Sequence, residues 1–390
     1  MMVLSTPISK LTFSDTKHVD AIIILSIALF FSSINSGQLA IIRGMRRIAD
    51  YAIVSVLGAF LGTLFTIPII YIWREDGIVP SLVVVSIMTI LPSWWYARKI
   101  EIAKMVMGIK EVWKESQSFF YLGFVFMLTG IIATVVQYAI RTIVLRELDM
   151  QSVGLFLAAS TLSTIYVGII LTAMGSDFYP RLTAVANDNN TCNRLVNEQT
   201  EVGLLIATPG ILAILAFAPY VIHLLYSDQF VAAYEILRWQ ILGVFLRVIC
   251  WPLGFILLAK KKGTTFFWTE LILGIMNITF TWTGLNLFGL VGTGIAVFAL
   301  YVSYTGMIWL VARKISGFRW TATNYLTSGI MSISIIIVFI MPEFLPKIMS
   351  LIASIILIIA LGFYCARKLC HLIGITSFSS LVDKFKKSLA

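Results

Sequence analysis

Eleven apolar runs, each about long enough to cross a bilayer, constrain this 390-residue chain more than any other feature. They fall at roughly 19–42, 49–73, 79–97, 119–141, 152–175, 202–226, 236–258, 265–287, 289–312, 325–341 and 347–366. A helix needs about 20 apolar residues to span about 30 Å of hydrocarbon, where no water can satisfy an exposed backbone. A soluble core has no use for so many runs of that length; the chain is 59% hydrophobic and 12% charged, with a mean hydropathy of +0.94. The pattern predicts an all-α, polytopic membrane bundle of about eleven transmembrane helices. Residues 1–13 read as the tail of a further span, and the sequence is expected to start partway through a helix; "MMVLSTPISK" lacks the charged start and small-residue cleavage site of a secretory signal.

A net charge of +10 raises the question of a nucleic-acid partner, and the placement of the charge argues against one. Sorted by alternate loops, 21 of the 29 lysines and arginines fall in one set and 7 in the other, with Arg247 left in mid-span. The rich set holds Arg43, Arg46 and Arg47, the segment 98–114, Arg181 and Arg194, Lys260 to Lys262, the segment 313–319 and the C-terminal residues. Such an excess marks cytoplasmic loops. The C-terminus is therefore expected in the cytoplasm, and the basic loops are expected to meet anionic membrane lipids.

The connections are short. The longest interruptions are 98–118 and 176–201. The first, "RKIEIAKMVMGIKEVWKESQS", sets Ile100, Ile102, Val106, Ile109, Val112 and Trp113 among lysines, which suits an amphipathic helix on the inner membrane surface. Small residues in "GAFLG" (58–62) and "GLVGTGIA" (289–296) permit close helix approach, and Pro209, Pro219 and Pro252 permit bends. Cys192, Cys250, Cys365 and Cys370 have no paired spacing and read as ordinary thiols.

Charge inside a span costs about 2.5–3.5 kcal/mol for arginine on insertion scales. Arg247 sits in the middle of 236–258, Arg141 lies about two turns inside the outer end of its span, and Arg238 lies at the outer start of 236–258. Arginine does not deprotonate, so these groups need an anion, a dipole or water. Arg141 and Arg238 can instead snorkel outward, and Arg247 can be a paired structural charge. Carboxylates in spans are fewer: Glu270 lies about a turn and a half into 265–287, and Asp177 sits at an inner end. Either could carry a proton or bind sodium, or simply be a solvated cap. A cavity lined by arginine would attract phosphate, which the guanidinium fork grips. The three histidines (His18, His223, His371) are scattered, and neither a metal motif nor a nucleotide loop is present. No catalytic set, metal site or cofactor is expected, and any energy would come from an ion gradient or from substrate flow.

Several segments, among them "LAIIRGMRRIADYAIVSVLGAFLG", "SVGLFLAASTLSTIYVGIILTAMGSDFYPRLTAVAND" and "LLYSDQFVAAYEILRWQILGVFLRVICWPLGFILLAKKK", resemble the O-antigen translocases. These are lipid-linked oligosaccharide flippases, the polysaccharide transporter branch of the multidrug/oligosaccharidyl-lipid/polysaccharide (MOP) exporter superfamily. The nearest in look are those serving enterobacterial common antigen. The likeness runs in order from about residue 5 to residue 314. It implies a two-lobed, MATE-like fold with an incomplete first lobe: 1–98 the remainder of the N-terminal lobe, 99–118 the linker, 119–314 a six-helix lobe, 315–370 an extra helix pair and 371–390 a basic tail. It implies inversion of an undecaprenyl-diphosphate-linked oligosaccharide from the cytoplasmic to the periplasmic leaflet of a bacterial inner membrane, with polysaccharide polymerase and chain-length machinery as partners. It implies cationic residues in the cavity at Arg141 and Arg247; with Arg238 these are the candidate diphosphate-binding residues, and Glu270 or Asp177 are the candidate carriers for ion coupling.

The alternatives are a drug/cation antiporter of the same fold, a membrane polysaccharide polymerase or ligase, and a nonfunctional remnant. The antiporter would favour carboxylates in the cavity, and the polymerase would need a large extracytoplasmic loop.

Overall fold

The computed structural model describes residues 5–7, 19–45, 47–100, 108–226 and 228–373. Part of the expected linker (101–107) and the basic tail beyond Ile373 lie outside the described residues. Among the described residues eleven long helices follow in order: α1 Val19–Gly44, α2 Ile48–Trp73, α3 Ile78–Arg98, α4 Ile109–Glu147, α5 Met150–Ala184, α6 Asn189–Leu225, α7 Ala233–Ala259, α8 Gly263–Phe288, α9 Gly292–Ser316, α10 Ala322–Phe344 and α11 Lys347–Ile373. Ten stretches of the described residues are long and apolar enough to cross a membrane. One of them, Gly263–Ser316, is the hairpin of α8 and α9, folded back at Gly289 where φ is +61°. That left-handed backbone is open to glycine at little cost.

The apolar runs show where the spans lie, and polar caps show where three helices start. Asp149 accepts the Ser152 amide (2.7 Å) at the start of α5, and Asp188 accepts the Asn190 amide (2.9 Å) at the start of α6. Thr321 accepts the Asn324 amide (3.3 Å) before α10. Each satisfies one of the amides that the first helical turn leaves free.

The chain divides into two compact units, Met1–Met107 and Gly108–Ala390. In the first, α3 packs against both α1 and α2. A Cβ on Gly58 or Gly62 of α2 would come within 3.3 Å of Thr89 or 3.4 Å of Val85 of α3, so the glycines let the helices lie close, as small residues in a span allow. Ser93 donates to Gln38 across α3 and α1. Arg98 lies over Trp94, and Lys99 over Trp95 and Tyr96, at the end of α3. Such a belt suits a membrane–water interface.

In the second unit α7 is central. It packs on α5, α6 and α9, while α4 leans on α8. Ile236, Leu237, Ile241, Leu253, Ile256 and Leu257 of α7 are fully buried. Lipid tails are as apolar as leucine, so this packing is held by close contact and polar bridges more than by escape from water. Helices α10 and α11 pack on α6 and share the core through Met331, Ile335, Val338, Leu361 and Cys365. Asn193 and Asn197 of α6 tie down the 316–324 connection: Asn193 Nδ2 donates to the Ser316 carbonyl (2.8 Å), and Asn324 Nδ2 donates to Asn197 Oδ1 (2.8 Å). Lys368 of α11 pairs with Glu201 of α6 at 2.7 Å.

Candidate functional site

Five helices of the second unit each turn a short polar stripe toward one space. Gln137 and Arg141 come from α4, Ser160, Ser163 and Thr164 from α5, Gln240 and Arg247 from α7, Asn277 and Thr281 from α8, and Tyr301 from α9. Most share a helix face because they stand three, four or seven apart. Together they line a cavity of about 290 Å³. Gln240, 1% exposed, is locked: its Nε2 donates to Ser160 Oγ (3.0 Å) and its Oε1 accepts from Ser163 Oγ (2.9 Å). This bridge fixes α5 against α7 and leaves the two arginines as the charged groups of the wall.

Arg141 and Arg247 both line this cavity. Among the described residues neither guanidinium makes a hydrogen bond or an ion pair. Arg247 also lines a second cavity of about 330 Å³, shared by α4, α5, α7, α8 and α9. Its walls are aromatic (Phe126, Tyr179, Trp251, Phe255, Phe266, Tyr301 and Tyr304), and its one carboxylate is Glu270, which accepts from the Tyr304 hydroxyl at 3.2 Å. Arg247 and Tyr301 belong to both spaces.

The other two expected site residues stand apart from these cavities. Arg238 is buried and engaged: its Nη1 meets Glu235 and Glu343 at 3.1 Å each, its Nη2 donates to the Phe339 carbonyl, and its guanidinium lies 4.6 Å from the Phe339 ring centre. It ties α10 to α7. Asp177 pairs with Arg181 one turn along α5 at 3.1 Å. Sequence reasoning passed over Gln137, Ser160, Ser163, Gln240, Asn277 and Thr281. The signal for them was a polar residue recurring on one helical face inside an apolar run.

The fold is similar to that of solved transporters of the MOP superfamily. An outward-facing multidrug resistance MATE family transporter of that superfamily matches with a TM-score of 0.69 at 15% identity, over 81% of this chain and 74% of its own. The lipid II flippase MurJ, in its inward closed conformation, matches with a TM-score of 0.61 at 15% identity, over 91% of this chain and 75% of its own. The chain belongs to the polysaccharide biosynthesis protein family, whose profile matches residues 1–235. The Lipid III flippase of Escherichia coli (strain K12) is 19% identical over 302 residues, 77% of this chain and 72% of that protein, and the Lipid III flippase of Shigella flexneri matches to the same extent.

Proposed function

We propose that this chain moves a polyprenyl-diphosphate-linked oligosaccharide, the repeat unit of an O-antigen or a related surface polysaccharide, from the cytoplasmic to the periplasmic leaflet of a bacterial inner membrane. It acts as a transporter by alternating access and makes or breaks no covalent bond. The observation that carries this reading is the pair of guanidiniums, Arg141 and Arg247, which line one cavity and have no salt-bridge partner among the described residues. Two forks can each engage phosphate oxygens with parallel hydrogen bonds, and the diphosphate in turn neutralises charge that is costly at this depth. The prenyl tail can stay in lipid while the sugars occupy the wet space. Polysaccharide biosynthesis family membership and the Lipid III flippase relatives support the same substrate class. On this reading the product, once at the far leaflet, feeds a polymerase and its chain-length partners.

The test is complementation of a flippase-deficient strain with Arg247 variants, scored for surface polysaccharide with protein level followed in parallel. Arg247→Ala is expected to lose transport and to bind polyprenyl diphosphate about 10- to 100-fold more weakly, the worth of one or two charged hydrogen bonds. Arg247→Lys is expected to recover only part, because a point charge lacks the fork. A well-expressed Arg247→Ala that restores wild-type polysaccharide sinks the phosphate clamp.

Coupling is part of the proposal. Glu270, which shares a cavity with Arg247, is the carboxylate assigned here to respond to a proton or sodium ion; Asp177 is already paired with Arg181. The same carboxylate is what a cation antiporter of this fold would use. Transport in vesicles that persists after both ion gradients collapse would instead point to flow driven by the substrate alone.

A further inference from the structure

We infer that the aromatic cavity below Arg247 is a glycan subsite, which takes the sugar next to the diphosphate of the lipid-linked substrate; this rests on the transport reading above. A pyranose has C–H faces and a rim of hydroxyls. It is best held by flat apolar rings with a few polar groups at their edges, the general make-up of a small-molecule pocket. Trp251 and Phe255 of α7 supply the rings, with centres 4.5 Å apart, and Tyr179 of α5 packs 5.8 Å from Phe255. The wall is held from behind by Phe178, 1% exposed, whose ring lies 5.6 Å from Phe255. Gly175 leaves room for the indole of Trp251, since a Cβ there would come within 3.1 Å of the ring. Rings supported in this way keep their places when a ligand arrives.

The polar groups are of the kind sugar hydroxyls use. Glu270 and the Tyr304 hydroxyl form one acceptor–donor pair on the cavity. The hydroxyls of Tyr179 and Tyr301 and the indole N–H of Trp251 make no hydrogen bond among the described residues. Polar groups left open inside a membrane span are expensive unless water or a ligand meets them. Position completes the case: Arg247 and Tyr301 line both cavities, so a diphosphate held by Arg141 and Arg247 puts its attached sugar at the mouth of the second space. That space, about 330 Å³, is at the small end of the roughly 300–1,000 Å³ range of ligand pockets, as one or two sugars require.

Gly254 provides the test. Of the two cavities it lines only the second, and a Cβ built on it meets no atom within 4 Å, so the side chain of Gly254→Phe starts in open space and is directed at that cavity. The full chain in lipid nanodiscs is titrated with two probes: sugar-free polyprenyl diphosphate, and the glycosylated polyprenyl-diphosphate pool extracted from the cells that make this protein. The wild type is expected to bind the glycosylated probe at least about tenfold more tightly than the sugar-free one. Gly254→Phe should lose that advantage while holding the sugar-free probe within about twofold, and Trp251→Leu should lose part of it. An advantage that survives both substitutions, or equal weakening of both probes in Gly254→Phe, overturns the glycan subsite. If Arg247→Ala weakens both probes in that case, the diphosphate reading stands without it. If neither probe binds the wild type, the transport reading fails and takes the subsite with it.

Discussion

Arg238, Arg141 and Arg247 pose the same electrostatic problem and meet it in two ways. Arg238 is met by protein: two glutamates, a carbonyl and a ring face surround it. Its partners Glu235 and Glu343 are 47% and 63% exposed, so solvent screens the pair and its worth is modest. Arg238→Ala is expected to cost about 1–3 kcal/mol, chiefly the bond to the Phe339 carbonyl and the loosening of α10. Binding of polyprenyl diphosphate should be untouched, the opposite of Arg247→Ala; thermal unfolding in detergent beside a ligand titration separates the two. The oddity of Arg247 was legible from its depth in an apolar run. The ownership of Arg238 was not, because Glu343 lies 105 residues away and no local pattern links them. Asp188 makes a second residue-scale prediction. The Thr191 hydroxyl, and then the Asn190 amide, hold its carboxylate below the ordinary aspartate pKa. A lowered folded pKa means the cap contributes fully above the unfolded value and is lost as pH falls through the folded one. The wild type should therefore lose melting temperature below about pH 4 relative to Asp188→Asn, which caps without titrating. Identical pH profiles for the two proteins would remove Asp188 from the stability of the α5–α6 turn.

At the scale of elements, the crossing of α7 and α9 fixes both cavities, since α7 carries Gln240, Arg247, Trp251 and Phe255 while α9 carries Tyr301 and Tyr304. The two helices meet backbone to side with glycine at the contact. A Cβ on Gly294 would lie 2.5 Å from the Ile236 carbonyl, and one on Gly243 would lie 2.7 Å from that of Val297. Gly294→Ala must push the helices apart, and overpacking of this kind costs about 1–3 kcal/mol. Gly306→Ala on the same α9 meets nothing within 4 Å and should be neutral or slightly stabilising, by up to about 1 kcal/mol of helix propensity. Paired melting curves check the contrast; equal shifts would mean the crossing is not tight. The small residues at 289–296 were visible in the sequence as packing candidates, but which faced what was not. Gly292 packs on Gly284 while Gly289 makes the turn itself. Span positions were legible because bilayer thickness dictates their length. Helix ends were less so, because α5 and α6 continue beyond the apolar runs as polar helix. Residues 176–184 and 189–201 therefore close and open those helices, and only 185–188 connect them. In the same way 109–118, expected within the surface linker, form the first turns of the 39-residue α4.

At the scale of the whole molecule, the Gly108–Ala390 unit has two chemically different ends. One gathers Arg181, Arg194, Lys260, Lys261, Lys262, Arg313, Lys314, Arg319, Arg367 and Lys368 around the α5–α6, α7–α8 and α9–α10 connections and the end of α11. The other carries Glu147, Asp149, Asp228, Glu235 and Glu343, with Arg146, Arg238 and Lys347. Lys260 further ties its end together, reaching the Ala186 carbonyl and Asn189 Oδ1 at 2.6 Å each. The Met1–Met107 unit shows the same asymmetry within itself: Arg43, Arg47, Arg98 and Lys99 flank its spans on one side, and the Arg74–Gly77 turn closes the other. Lysine and arginine resist transfer across the membrane during insertion, so the basic ends should face the cytoplasm. A reporter joined after Ala390 is therefore expected to read as cytoplasmic, and one inserted at the exposed Asp76 as periplasmic. Replacing Lys260, Lys261 and Lys262 with glutamine should weaken that preference without reversing it, because the other basic loops remain. The direction of transport hangs on this orientation. With it, the flippase proposed above would load its glycolipid from the leaflet where cytoplasmic enzymes build it. Reporters that read the opposite way would leave the cavities and their arginines in place but turn the proposed flippase into an importer, and the export of a surface polysaccharide unit would have to be abandoned.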